Sequence, residues 1–136
     1  MGNDFRRAYR EFIQGPGFED APPGPLPDME NYLLADDGTF LGRLTSSRYD
    51  TDGIFNTYGQ HGSKYAAESI FNEYGNYGGK YCDLSPFSEY ASRPPKIYIK
   101  NKLFGYLSKN KYLLEAYDTD LVLDWIREMR EFGRGA

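Results

Sequence analysis

His61 is the single histidine and Cys82 the single cysteine of the 136-residue chain. A general base of ordinary pKa must therefore be His61 itself or a carboxylate with a perturbed one. Asp50-Thr51-Asp52-Gly53 lies just upstream, so a small hydrolase or lyase built here would use His61 with Asp50 or Asp52. The same D-x-D-G opens a calcium loop, but the third carboxylate and the closing glutamate of an EF-hand are missing. A turn capped by Asp is expected there, with no metal and no cofactor. Nothing in their spacing brings His61 and Cys82 together. No GxSxG, HExxH, P-loop or dinucleotide fingerprint is present either.

Binding chemistry is better represented. Tyrosine is a wide, rigid, amphipathic contact group, and Asn, Ser and Gly supply adaptable hydrogen bonds beside it. Residues 49–96 carry seven of the 13 tyrosines, interleaved with Asn56, Gln60, Ser63, Asn72 and Asn76. Tyr58, His61, Tyr74 and Tyr77 are the expected exposed rings, with Asn56 and Asn72 beside them. His61 and Tyr77 share a repeat position between two glycines, where a turn tip should stand.

That position is defined by an internal period of 16 residues. YDTDGIFNTYGQHGSK (49–64), YAAESIFNEYGNYGGK (65–80) and YCDLSPFSEYASRPPK (81–96) align without a gap, with four identical columns. These are Tyr49/65/81, Phe55/71/87, Tyr58/74/90 and Lys64/80/96. Gly53, Ser69 and Ser85 before Ile54, Ile70 and Pro86 read as helix N-caps followed by N1, and Gly59 and Gly75 as left-handed stops. Each block is thus expected to be a short helix, a glycine turn and a Lys-Tyr extended piece. So short a unit must stack on its neighbours. The Phe column is expected in the core, while the Tyr columns are left open between core and surface.

The blocks SIFNEYGNYGGKY and SPFSEYASRPP, followed by FGYLS, resemble a group of small bacterial proteins with tandem Y-x-x-x-S-I-[FW]-N-x-Y-G-x-Y-G-S repeats. The resemblance spans roughly residues 38–112. It implies the repeat architecture and carries neither an activity nor a site.

Around the repeats stand the elements that must position them. Phe5, Tyr9, Phe12 and Ile13 give residues 1–14 the stripe of an amphipathic helix. Residues 15–31 hold five of the eight prolines and form a linker. YLLADDGTFLGRLT reads as a hairpin about Asp37-Gly38, and IYIKNKLFGYLS as a second one that repeats the first at an offset of 63 residues. Val122, Trp125, Ile126 and Met129 stripe a last helix from about Asp120 to Phe132. The expected fold is α+β: two hairpins flanking three helix-turn repeats, with a helix at each end, and residues 32–136 as one domain.

Sixteen basic against 20 acidic residues give a net charge of -4, which argues against a nucleic-acid partner. The lysines at 100, 102, 109 and 111 are offset by Glu115, Asp118 and Asp120. No apolar run reaches the length of a signal peptide or a membrane span, and a lone cysteine suits the cytoplasm. The expected function is a non-enzymatic binding module taking a protein partner or a small ligand. The alternatives are the His61 hydrolase or lyase and a structural repeat mediating self-association.

Overall fold

In the computed structural model, residues 5–14 and 31–128 are described. The proline-rich linker, save Asn31, lies outside the described residues, as do residues 1–4 and the last helix beyond Glu128. Helix α1 (Phe5–Gln14) sets Phe5 into the core, where its ring meets those of Trp125 at 5.1 Å and Phe104 at 5.4 Å. Helix α2 (Thr119–Glu128) starts where the Asp118 carboxylate accepts the Leu121 N–H at 3.2 Å, an N-cap bond. Its stripe of Val122, Leu123, Trp125 and Ile126 is buried, as the periodicity requires.

Among the described residues, five strands form one sheet in the order β2-β1-β3-β4-β5: β1 (Tyr32–Leu34), β2 (Phe40–Arg43), β3 (Lys96–Ile99), β4 (Lys102–Leu107) and β5 (Ala116–Tyr117). The class is α+β as expected, but the expected arrangement is not found. The two antiparallel pairs do not flank the repeats as separate hairpins. β1 pairs with both β2 and β3, and β5 adds a parallel strand beside β4, giving one mixed sheet. Side chains alternate across it: Leu33, Ile97 and Ile99 join the main core under the helices, while Tyr32, Leu34 and Tyr98 pack together on the other face. The offset of 63 residues seen in the sequence recurs in the hydrogen bonding. A bulge at Leu41-Gly42 in β2 is matched by one at Phe104-Gly105 in β4. The parallel bridge of Arg43 with Gly53 is likewise matched by that of Tyr106 with Ala116.

Residues 49–96 contain no helix, which corrects the expected helix-turn repeats. They form a ribbon of linked turns. Backbone N–H groups bond back from Gly53 to Asp50, Asn56 to Gly53, Gly59 to Asn56, Ser63 to Gly59 and Ala66 to Ser63, at 2.9–3.3 Å. Four steps of three residues and one of four make up the 16-residue period, and the pattern repeats from Ala66 to Cys82. A small polar residue or glycine sits at most links, as the first position of a turn prefers. Ser69 and Ser85 accept the N–H groups of Phe71 and Phe87 at 3.1 and 3.0 Å. An N-cap makes this kind of side-chain bond too, but here another link follows within three residues, so no helix propagates. Gly59 and Gly75 do not adopt the left-handed backbone expected of helix stops.

Candidate interaction surface

Each block adds one layer to the ribbon. Phe55, Phe71 and Phe87 follow one another up the stack with ring centroids 6.2 and 6.3 Å apart. The first layer docks on the free edge of β2, where Arg43 N–H bonds Asp52 O at 2.7 Å and Ile54 N–H bonds Arg43 O at 3.1 Å. The last is held by Lys109 N–H on Pro86 O at 3.1 Å, by the Thr119 hydroxyl on the same oxygen, and by Asn110 Nδ2 on Ala91 O at 2.8 Å. Ile54 and Ile70 point into the main core. The Phe column is only half-buried against that core, not within it as expected.

The rings left outside are the tyrosines. Tyr49, Tyr65 and Tyr81 form one column and Tyr58, Tyr74 and Tyr90 another, with exposures from 81% at Tyr65 to 99% at Tyr74. Between the columns run two open grooves floored by phenylalanine. One, of about 480 Å³, is lined by Phe55, Tyr58, Lys64, Tyr65 and Phe71, with Arg127 of α2 lying 4.7 Å over the Phe55 ring. The next, of about 400 Å³, is lined by Phe71, Glu73, Gly78, Lys80 and Phe87. Exposed Arg48, Lys64 and Lys80 precede the tyrosines of the first column, and exposed Glu73 and Glu89 precede two of the second. Lys64 and Lys80 lie 5.4 and 6.0 Å over the rings of Tyr65 and Tyr81, a cation–π arrangement.

Of the residues singled out in the sequence, Tyr58 and Tyr74 lie on this surface. Asn56 and Asn72 are structural: their amide nitrogens donate across the layer to Asp50 O and Ala66 O at 3.2 and 3.1 Å. Their oxygens accept the N–H groups of Tyr58 and Tyr74 at 3.0 Å. His61 is not a turn-tip ring. It is 4% exposed, edge-on to Phe40 at 4.8 Å, with Nδ1 buried and, among the described residues, without a hydrogen-bond partner. Asp50 is turned to Arg43 at 3.4 Å and to the Asp52 N–H at 2.9 Å. Tyr77, in the same column as His61, is half-buried across the Asp37 turn. Tyr90, the third ring of the Tyr58 and Tyr74 column, was missed as a site residue, as were the rings of Tyr49, Tyr65 and Tyr81 and the charges beside them. The signal for Tyr49, Tyr65 and Tyr81 was the constant pairing of a basic residue with the tyrosine that follows it.

Tyr77 Oη donates to Asp37 Oδ2 at 2.7 Å and lies 3.0 Å from Thr39 Oγ1. The Tyr77 hydroxyl, outweighing slight burial and helped by the Thr39 N–H, holds Asp37 below its usual value of 3.8. A carboxyl depressed in the fold stabilises above that unfolded value, and the contribution is lost as pH falls through the folded one. Tyr77→Phe should therefore melt below the wild type at neutral pH, and the two melting temperatures should converge as pH falls below 3.8. A gap that stays constant to about pH 2 would assign the effect to packing instead.

The lysine cluster carries no free cationic patch at its centre. Burial of Lys109 disfavours its charge, but its hydrogen bond to Asp120 and the nearby Asp118 carboxylate, 3.4 Å away, outweigh this and raise its pKa. Among the described residues, no group of three or more His, Cys, Asp or Glu is placed to hold a metal, and no helix is long and apolar enough to cross a membrane. No protein-family model, curated protein or solved structure matches this chain, so its own residues carry the functional reading.

Proposed function

We propose that this chain is a non-enzymatic interaction module whose tyrosine face recognises a protein partner. The observation that carries the reading is the pair of tyrosine columns, six rings that are 81–99% exposed and stand beside half-buried phenylalanines. Contiguous aromatic surface of this kind contributes little to folding and favours association, so soluble proteins keep it chiefly for partners. The ribbon beneath is held by repeated backbone and side-chain bonds, so the rings are presented at small entropic cost on binding. Open grooves between the columns suit side chains of another protein better than an engulfed small molecule. The net charge of -4 disfavours a phosphate polymer, and the lone thiol of Cys82 fits the cytoplasm. The hydrolase alternative has little support, since His61 is buried under Phe40 and Asp50 is engaged by Arg43.

The test compares the wild type with Tyr58→Ser/Tyr74→Ser/Tyr90→Ser. A displayed random-peptide library is panned on each protein, immobilised sparsely so that copies cannot meet, and homotypic association is measured in parallel. The expected result is at least a tenfold loss of peptide capture, of self-association or of both in the triple variant, with its melting temperature kept. If the triple variant changes neither, the tyrosine face is not an interaction surface.

A further inference from the structure

The two tyrosine columns differ in charge. Arg48, Lys64 and Lys80 make the column of Tyr49, Tyr65 and Tyr81 basic, whereas Glu73 and Glu89 make that of Tyr74 and Tyr90 acidic. Glu73 and Lys80 line the same groove, so the columns share one face. Among the described residues, none of Arg48, Lys64, Lys80, Glu73 and Glu89 makes an ion pair.

We propose that this face pairs with the same face of a second copy of the chain, through a two-fold axis parallel to the columns. The proposal rests on the reading of the face as an interaction surface, and names its partner. Two copies can meet face to face about a two-fold in the contact plane, running either along the columns or across them. Across them, each column meets its own copy, acid against acid and base against base. Along them, every column meets its opposite, so glutamates face lysines. Electrostatics therefore selects one register of pairing and rejects the other.

Size is consistent with a stable pair. Six tyrosines at about 150 Å² each supply the area that a standard interface takes from each partner, roughly 800 Å². The phenylalanine-floored grooves between the columns receive rings from the opposite copy, in stacked or edge-on contact. A single-signed partner peptide would satisfy one column and be repelled by the other.

The experiment is sedimentation equilibrium of the full chain with two charge-reversed variants, Glu73→Lys/Glu89→Lys and Lys64→Glu/Lys80→Glu. All four positions are exposed, so circular dichroism and melting should be unchanged. The wild type should be dimeric, and each variant should associate at least tenfold more weakly. An equimolar mixture of the two should recover a heterodimer, because the two reversed columns then face each other with opposite charge, and the intact basic column of one variant faces the intact acidic column of the other. A monomeric wild type overturns the pairing, as do variants that dimerise as tightly as the wild type or a mixture that fails to recover. Peptide capture by a monomeric wild type would leave the interaction reading standing while removing the self-pairing.

Discussion

Gly78→Ala should lose about 3 kcal/mol or more of folding stability, toward the upper limit for overpacking. A Cβ at Gly78 would stand 2.3 Å from Asn72 O and 2.5 Å from Ile70 O. Both obstacles are backbone, and Asn72 O already accepts the link bond from Gly75 N–H at 3.0 Å, so neither yields cheaply. Gly62 repeats the geometry one layer earlier, at 2.1 Å from Asn56 O. The position is crowded because each of the first two layers closes by passing over its own asparagine, Asn56 or Asn72. Gly75 is the control: its nearest obstacle is the Asn72 side-chain nitrogen at 3.1 Å, and the corresponding residue of the third layer is Ala91, fully buried. Gly75→Ala should cost under about 1 kcal/mol. Urea denaturation of both variants checks the contrast, and equal losses would refute the close-approach explanation. The third layer has Pro94 where Gly62 and Gly78 stand. It tolerates the ring because the chain there leaves the ribbon, with Pro95 O accepting the Leu107 N–H at 2.9 Å as β3 begins.

Ile70→Ala should cost about 4 kcal/mol, while Tyr74→Ala, four residues on, should change stability by no more than about 0.5 kcal/mol. Ile70 is fully buried between the ribbon and the sheet core, so truncation leaves a cavity that the linked turns cannot collapse to fill. Tyr74 is 99% exposed, and the bonds at its turn belong to Asn72 and the backbone rather than to its ring. Denaturant midpoints at unchanged slope are the measurement. A comparable loss in both variants would place Tyr74 in a core and remove the interaction face. The pair of substitutions thus separates rings that fold the protein from rings that remain for a partner.

Much of this organisation could be read without coordinates. The 16-residue period is a backbone property, because turns that link every three residues need small polar residues or glycine at recurring positions. Asp50, Asn56, Ser63, Ser69 and Asn72 supply them. The stripe of the last helix is likewise local, since one face of a helix must be apolar to be buried. The 63-residue offset was legible for a similar reason, since an apolar residue followed by glycine recurs at Leu41-Gly42 and Phe104-Gly105; that each marks a bulge was shown only by the strand pairing.

What local pattern left open was decided by long-range packing. A serine oxygen accepting a backbone N–H two residues on opens a helix and a turn alike, and only the continuation of the bonding tells them apart. His61 and Tyr77 occupy one column of the repeat, yet the first layer abuts β2 and buries His61 beneath Phe40, while Tyr77 meets the Asp37 turn. The joining of both strand pairs into one sheet depends on β1 meeting β3 across 61 intervening residues, from 35 to 95. Burial of a column depends on which surface the fold brings against it, and that surface comes from sequence-distant residues. Equal residues in equal repeats can therefore end in unequal environments.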